Sequence, residues 1–159
     1  MTNNNPGLHE ALNLLLADSF AVYLKTKSFH WHVSGPHFRE YHLLFDEQAS
    51  QILDTTDRIA ERVRKTGGTT LRSIGHVARL QRVSDADAHD LDAEAMLMSL
   101  YQDNSALLGA LRDVKGSADE AGDHATSGLI DELTDGAEER VWFLAQSLQS
   151  GSKSTSLPF

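Results

Sequence analysis

Apolar positions fall at helical spacing along nearly the whole chain, in four long runs separated by glycine and proline breaks. Leu8, Leu12, Leu15, Val22 and Phe29 mark a buried face and predict a first helix from about Leu8 to Val33. Gly35-Pro36 ends it, and Pro36 suits the first turn of the next helix. A second helix then runs to about Lys65. Phe38, Phe45, Ile52 and Ile59 recur every seven residues along it and form a packing seam. Gly67-Gly68 stops this helix. A linker of about twenty residues follows, long enough to carry something of its own. The apolar stretch Ile74 to Leu80 within it predicts a short crossing helix. Ser84 with Asp87 matches a capping box and predicts the start of the third long helix. Its core face is Leu97, Leu100, Leu107, Leu111 and Val114. Gly116-Ser117 and Gly122-Asp123 both carry stop and cap signals, and Gly122-Asp123 is favoured. The fourth helix extends to about Gln149, with Leu129, Leu133, Ala137, Val141, Leu144 and Leu148 inward.

Short connections join the first helix to the second and the third to the fourth. The long one lets the second and third run parallel. Four long helices with one long crossover describe an all-α, ferritin-like four-helix bundle with a short extra helix in the connection. At 159 residues and 40% hydrophobic, a single domain over 1–159 is expected, with a core at 8–150 and short tails at 1–7 and 151–159. All three prolines, Pro6, Pro36 and Pro158, lie outside the periodic segments.

Composition narrows the chemistry. There are no cysteines, which excludes disulfides, zinc–thiolate sites and thiol catalysis. Met1 to Pro6 shows no basic-then-apolar leader pattern, and no apolar run approaches membrane-spanning length, so a cytoplasmic protein is expected. The net charge of −9 repels nucleic-acid phosphate and concentrates cations.

The second helix carries a stripe of metal-ligand residue types. His42 and Asp46 lie four residues apart, as do Asp57 and Glu61, and residues four apart share a helix face. Imidazole and carboxylate suit iron, manganese or zinc. The eleven residues from Asp46 to Asp57 make about three turns, so both pairs return to nearly one azimuth about 16 Å apart along the axis. No single ion spans that gap. An antiparallel copy of the helix across a two-fold axis would set His42 and Asp46 opposite Asp57 and Glu61 of a second chain. The alternative is an ordinary solvated polar face. None of the eight histidines completes a Glu-x-x-His motif, so the usual di-iron centre inside a ferritin bundle cannot form here.

The run Lys27-Ser28-Phe29-His30-Trp31-His32-Val33-Ser34-Gly35, followed by Phe38, His42, Asp46, Asp57 and Glu61, resembles the Dps family of mini-ferritins. Arg58-Ile59-Ala60-Glu61-Arg62, Gly67-Gly68, and the stretch of Asp123, Thr126 and Leu129 to Trp142 extend the resemblance over roughly residues 8–150. The resemblance implies a hollow dodecamer with ferroxidase centres at two-fold interfaces. His30, His42 and Asp46 would come from one subunit, and Asp57 and Glu61 from its mate. It implies oxidation of iron(II), preferentially by hydrogen peroxide over oxygen, and storage of ferric mineral in a bacterial or archaeal cytoplasm, with protection against oxidative stress. Zinc would be a substitute ion, since it usually binds such sites more tightly than iron(II).

The resemblance also places Asp123, Asp131 and Glu132 where the family lines iron-entry pores, although Asp123 suits an N-cap equally well. Trp31 adjoins His30, either over the site or as a packing anchor; Trp142 reads as structural. His32, His37, His76, His89 and His124 have no assigned role. The second function class is a DNA-compacting starvation protein with a secondary iron role. Some family members bind DNA through lysine-rich tails. Here Met1 to Pro6 has no lysine or arginine and the C-terminal tail has only Lys153, so weak or absent DNA binding is expected.

Overall fold

The computed structural model describes residues 4–149; Met1 to Asn3 and the expected tail at 151–159, with Lys153, lie outside the described residues. Five helices follow in order: α1 (Pro6–His32), α2 (Phe38–Lys65), α3 (Ile74–Leu80), α4 (Ala93–Glu120) and α5 (His124–Gln149). The four long ones form the expected ferritin-like bundle. α1 packs chiefly against α2, and α4 against α5, with α1 against α4 joining the two pairs.

Local signals explain most of the boundaries. Asn5 caps α1 by accepting from the Leu8 amide at 3.2 Å, and Pro6 takes the first turn, where its missing N–H costs nothing. Between α4 and α5 the chain turns at Gly122, whose φ of 66° favours glycine. Asp123 then accepts from the Thr126 amide at 3.0 Å and starts α5. α4 passes through Gly116-Ser117 unbroken. At the end of α2 the turn comes so close to α1 that a Cβ on Gly68 would stand 2.7 Å from Nδ1 of the buried His9.

The core has two parts. Leu12, Leu15, Leu16, Ile52, Ile59, Leu111 and Ile130 belong to the larger one. Phe29, Val33, Phe45, Leu97, Leu100 and Leu144 fill the end where α1 finishes and α2 begins. Fully burying one such side chain contributes about 1.5–3 kcal/mol. A buried ion pair, Lys25 Nζ to Asp103 at 2.6 Å, crosses from α1 to α4 inside this frame.

The long connection is strapped onto α1. The Asn13 amide donates to the Thr69 carbonyl at 2.9 Å, and Thr70 donates to the Asn13 oxygen at 2.8 Å. The buried Asp18 carboxylate accepts from the Arg82 amide at 2.6 Å and from its guanidinium at 2.9 and 2.6 Å. The crossing helix is present as α3, with none of its residues buried in the single chain.

Four expectations change. Ser84 and Asp87 do not start a helix: residues 81–92 are irregular, and Asp92 caps α4 by accepting from the Ala95 amide at 2.8 Å. Arg82 is tied to Asp18, and Ala86 and Leu91 pack on the smaller core, which a more compact helical path would not reach. Pro36 lies in the turn before α2 rather than inside it. Phe38, the first residue of the seam, is 45% exposed because it precedes the packed length of α2. Trp142, expected as structural, is 59% exposed in the single chain, as is Trp31, expected either over the site or as a packing anchor.

Candidate metal centre

His30 stands in the last turn of α1 and His42 in the second turn of α2, where the Gly35-Pro36 turn folds the two helices together. Their rings stack 3.8 Å apart at an interplanar angle of 19°. Each ring bonds the other residue's backbone: His30 Nδ1 donates to the His42 carbonyl at 2.7 Å, and His42 Nδ1 donates to the His30 carbonyl at 2.8 Å. A carbonyl only accepts, so each Nδ1 carries a hydrogen, and in the neutral ring the lone pair is then on Nε2. Such bonding orients imidazoles as metal ligands. Phe29 and Phe45 belong to the smaller core at this end, their rings 6.5 Å apart, and Phe38 lies 5.1 Å from the His42 ring.

Asp46 completes the cluster one turn after His42. Its Oδ1 lies 3.9 Å from His30 Nε2 and accepts from Lys27 Nζ at 2.6 Å. The Lys27 ammonium hydrogen-bonded to Asp46 holds its carboxyl below the usual carboxylate range. Lys27 was quoted in the sequence motif but given no role. Its place three residues before His30, on the same helix face, was the available signal.

Asp57 and Glu61 do not join this group. Both are exposed farther along α2, and Glu61 accepts from Lys65 at 2.9 Å. Among the described residues, no three His, Asp or Glu side chains of one chain are gathered to hold a metal ion. Of the five sequence-selected ligands, His30, His42 and Asp46 stand near one another at the start of α2 without forming a metal-holding group, and Asp57 and Glu61 lie exposed farther along it.

A model of the ferritin-like domain matches residues 9–153. The DNA protection during starvation protein of Brevibacillus brevis is 33% identical over 87% of this chain and 92% of its own length. The structure of Dps from Thermosynechococcus elongatus superposes with a TM-score of 0.88 at 27% identity, covering 94% of this chain and 95% of that one. The chain belongs to the Dps family of ferritin-like proteins. A Dps protein from Vibrio cholerae, described as a member of a broad superfamily of ferritin-like diiron-carboxylate proteins, matches with a TM-score of 0.85 at 29% identity over 89% of each chain.

The acids assigned to a Dps entry pore each hold a cation in this chain. Asp123 is buried and accepts from Thr126 Oγ1 at 2.6 Å and from Arg62 Nη2 at 2.8 Å. Burial pushes its carboxyl up, but the Thr126 hydrogen bonds and the Arg62 guanidinium outweigh this and leave it below the usual range. Asp131 accepts from Lys115 at 2.8 Å, and Glu132 pairs with Arg58. Two of the unassigned histidines have partners of their own. His32 Nδ1 donates to the Ser28 carbonyl at 2.7 Å, and His37 pairs with Glu40 at 3.2 Å, both at exposed positions. No described helix is long and apolar enough to cross a membrane.

Proposed function

We propose that this Dps protein oxidises iron(II) at centres shared between two subunits and stores the ferric product inside a dodecameric cage. His30, His42 and Asp46 of one subunit, with Asp57 and Glu61 of the partner subunit, bind the iron. The observation that carries this reading is the reciprocal bonding of His30 and His42. It fixes both rings through Nδ1 at the end of α2 that carries Asp46, with His30 Nε2 standing 3.9 Å from the Asp46 carboxylate. The kinship with ferritin-like proteins supports iron as the substrate metal.

The roles follow from ligand chemistry. Carboxylates are hard ligands that hold iron in both oxidation states, and few nitrogen donors keep binding weak enough for the ferric product to leave. Lys27 neutralises Asp46 before the metal arrives and gives up that oxygen to it. Hydrogen peroxide is the preferred oxidant. Each molecule takes one electron from each of two iron(II) ions and two protons, and leaves as two waters. Both reagents of hydroxyl-radical formation are consumed, which protects the cytoplasm that houses the cage. Asp123, Asp131 and Glu132 line the entry path, exchanging their present cations for passing iron(II). Zinc competes for the same ligands. DNA binding is weak at neutral pH, since counterion release needs several cationic contacts and the chain carries −9.

The test is to load purified protein with iron(II) without oxygen, add peroxide, and follow ferric absorbance in wild type, His42→Ala and Asp57→Ala. The rate is expected to collapse equally in both variants; wild-type rates in either would remove that residue from the centre. A tight, salt-sensitive shift of plasmid DNA would contradict the DNA reading.

A further inference from the structure

Arg140 lies in α5 within Glu138-Glu139-Arg140, a charge run that reads as a solvated face. Yet the residue is only 5% exposed. Its Nε donates to the Oδ1 of the fully buried Asn104 at 2.9 Å, and its own carbonyl accepts from Gln48 at 3.3 Å. Asn104 is neutral. Among the described residues, no carboxylate lies within ion-pair distance of Arg140, although the neighbouring Glu139 favours its cation, and the Nε bond to Asn104 is its one side-chain hydrogen bond. Burial pulls the guanidinium down to about 10, which leaves it a cation at neutral pH. Buried charges in proteins are paired, because an unpaired one forfeits its solvation without return.

The unpaired end opens into a groove of about 310 Å³ between α2 and α5. Gly136 lies beside it, where a Cβ would make ordinary contact 3.7 Å from Arg140 Nη1 and a larger side chain would fill the groove. Gln51 and Thr55 line the same wall and Arg58 stands at the mouth, paired with Glu132. Asp54 and Glu139 are exposed on the rim. The floor is cationic and the rim acidic. A ligand for this floor must be compact enough to pass between the rim carboxylates.

We propose that this groove is an inorganic oxyanion site of the phosphate class, with Arg140 as its charged floor and Arg58 as a second contact released from Glu132. The site is separate from the ligands at His30, His42 and Asp46 and needs no iron to form.

The experiment titrates inorganic phosphate into the assembled, iron-free protein by calorimetry, against chloride at equal ionic strength. Saturable uptake of about one phosphate per subunit is expected, as each subunit carries one groove. Arg140→Gln should weaken it by about tenfold or more, since a charge-assisted bidentate contact is lost. Because Arg140 is buried, the exposed Arg58→Gln and the groove-filling Gly136→Leu serve as second variants. Each is expected to weaken phosphate uptake, and Gly136→Leu to leave peroxide-driven iron oxidation at the wild-type rate. Chloride-like behaviour of phosphate in the wild type, or equal phosphate affinity in wild type, Arg58→Gln and Gly136→Leu, would overturn the site.

Discussion

At the start of α2, His42 and Asp46 are held by α1; about three turns later, Asp57 and Glu61 are exposed, and Glu61 pairs with Lys65 of its own helix. Residue types and spacing are nearly the same at both places. The difference is where the constraint comes from. One set is oriented within the chain by two ring-to-carbonyl bonds and a lysine. The other lies exposed, with Glu61 paired only along its own helix, to Lys65.

The comparison breaks most visibly in activity. His42→Ala and Asp57→Ala should each slow peroxide-driven iron oxidation by about a hundredfold or more, because losing a direct ligand exceeds the usual cost of losing its support. Unequal losses would show that one set alone suffices. Stability should separate the two sets. Unfolding of iron-free protein followed by circular dichroism should show His42→Ala costing about 1–2 kcal/mol per subunit, for its lost hydrogen bond and ring stacking. Asp57→Asn should stay within about 0.5 kcal/mol.

Asp123 gives the contrasting case of an acid fully held by its own chain. Asp123→Asn should cost about 1 kcal/mol at neutral pH through the weakened cap and the lost Arg62 pair. Its folded carboxyl lies below the ordinary value. The stabilisation is therefore present above the ordinary carboxylate range and fades as pH falls through the lowered folded value. Acid titration of wild type and variant should converge there.

Lys27 sharpens the picture at the held end. Lys27→Met removes the cation that competes for Asp46, so zinc(II) in oxidant-free protein should bind about threefold to tenfold more tightly at neutral pH. The Asp46 carboxyl should then titrate at higher pH, so zinc is lost earlier on acidification. The smallest effect belongs to the exposed end: Lys65→Gln should change stability by about 0.3 kcal/mol, the scale of a solvent-exposed i,i+4 pair.

The helices were legible because apolar periodicity reports packing directly, and Gly122-Asp123 carried both a stop and a cap. Ser84 and Asp87 misled because a capping box records local preference. The path of residues 81–92 is set by Asp18, more than sixty residues upstream, gripping Arg82. Spacing on one helix could select His42, Asp46, Asp57 and Glu61, while adding His30 took the family resemblance. Neither could reveal that the His30 and His42 rings stack or that Lys27 occupies Asp46, since both depend on how the turn at Gly35 registers α1 against α2. Arg140 was hidden by its neighbours: two adjacent glutamates make a buried cation look like surface.

Subunit mixing tests the shared centre most directly. His42→Ala and Asp57→Ala subunits, co-expressed with different tags and purified as mixed cages, place an intact His42 set opposite an intact Asp57 in each mixed dimer. Random pairing makes about a quarter of all centres whole. Recovery of about a quarter of the wild-type oxidation rate, from two variants each inactive alone, is the predicted result. Mixed cages no more active than either variant would contradict a centre built by two chains.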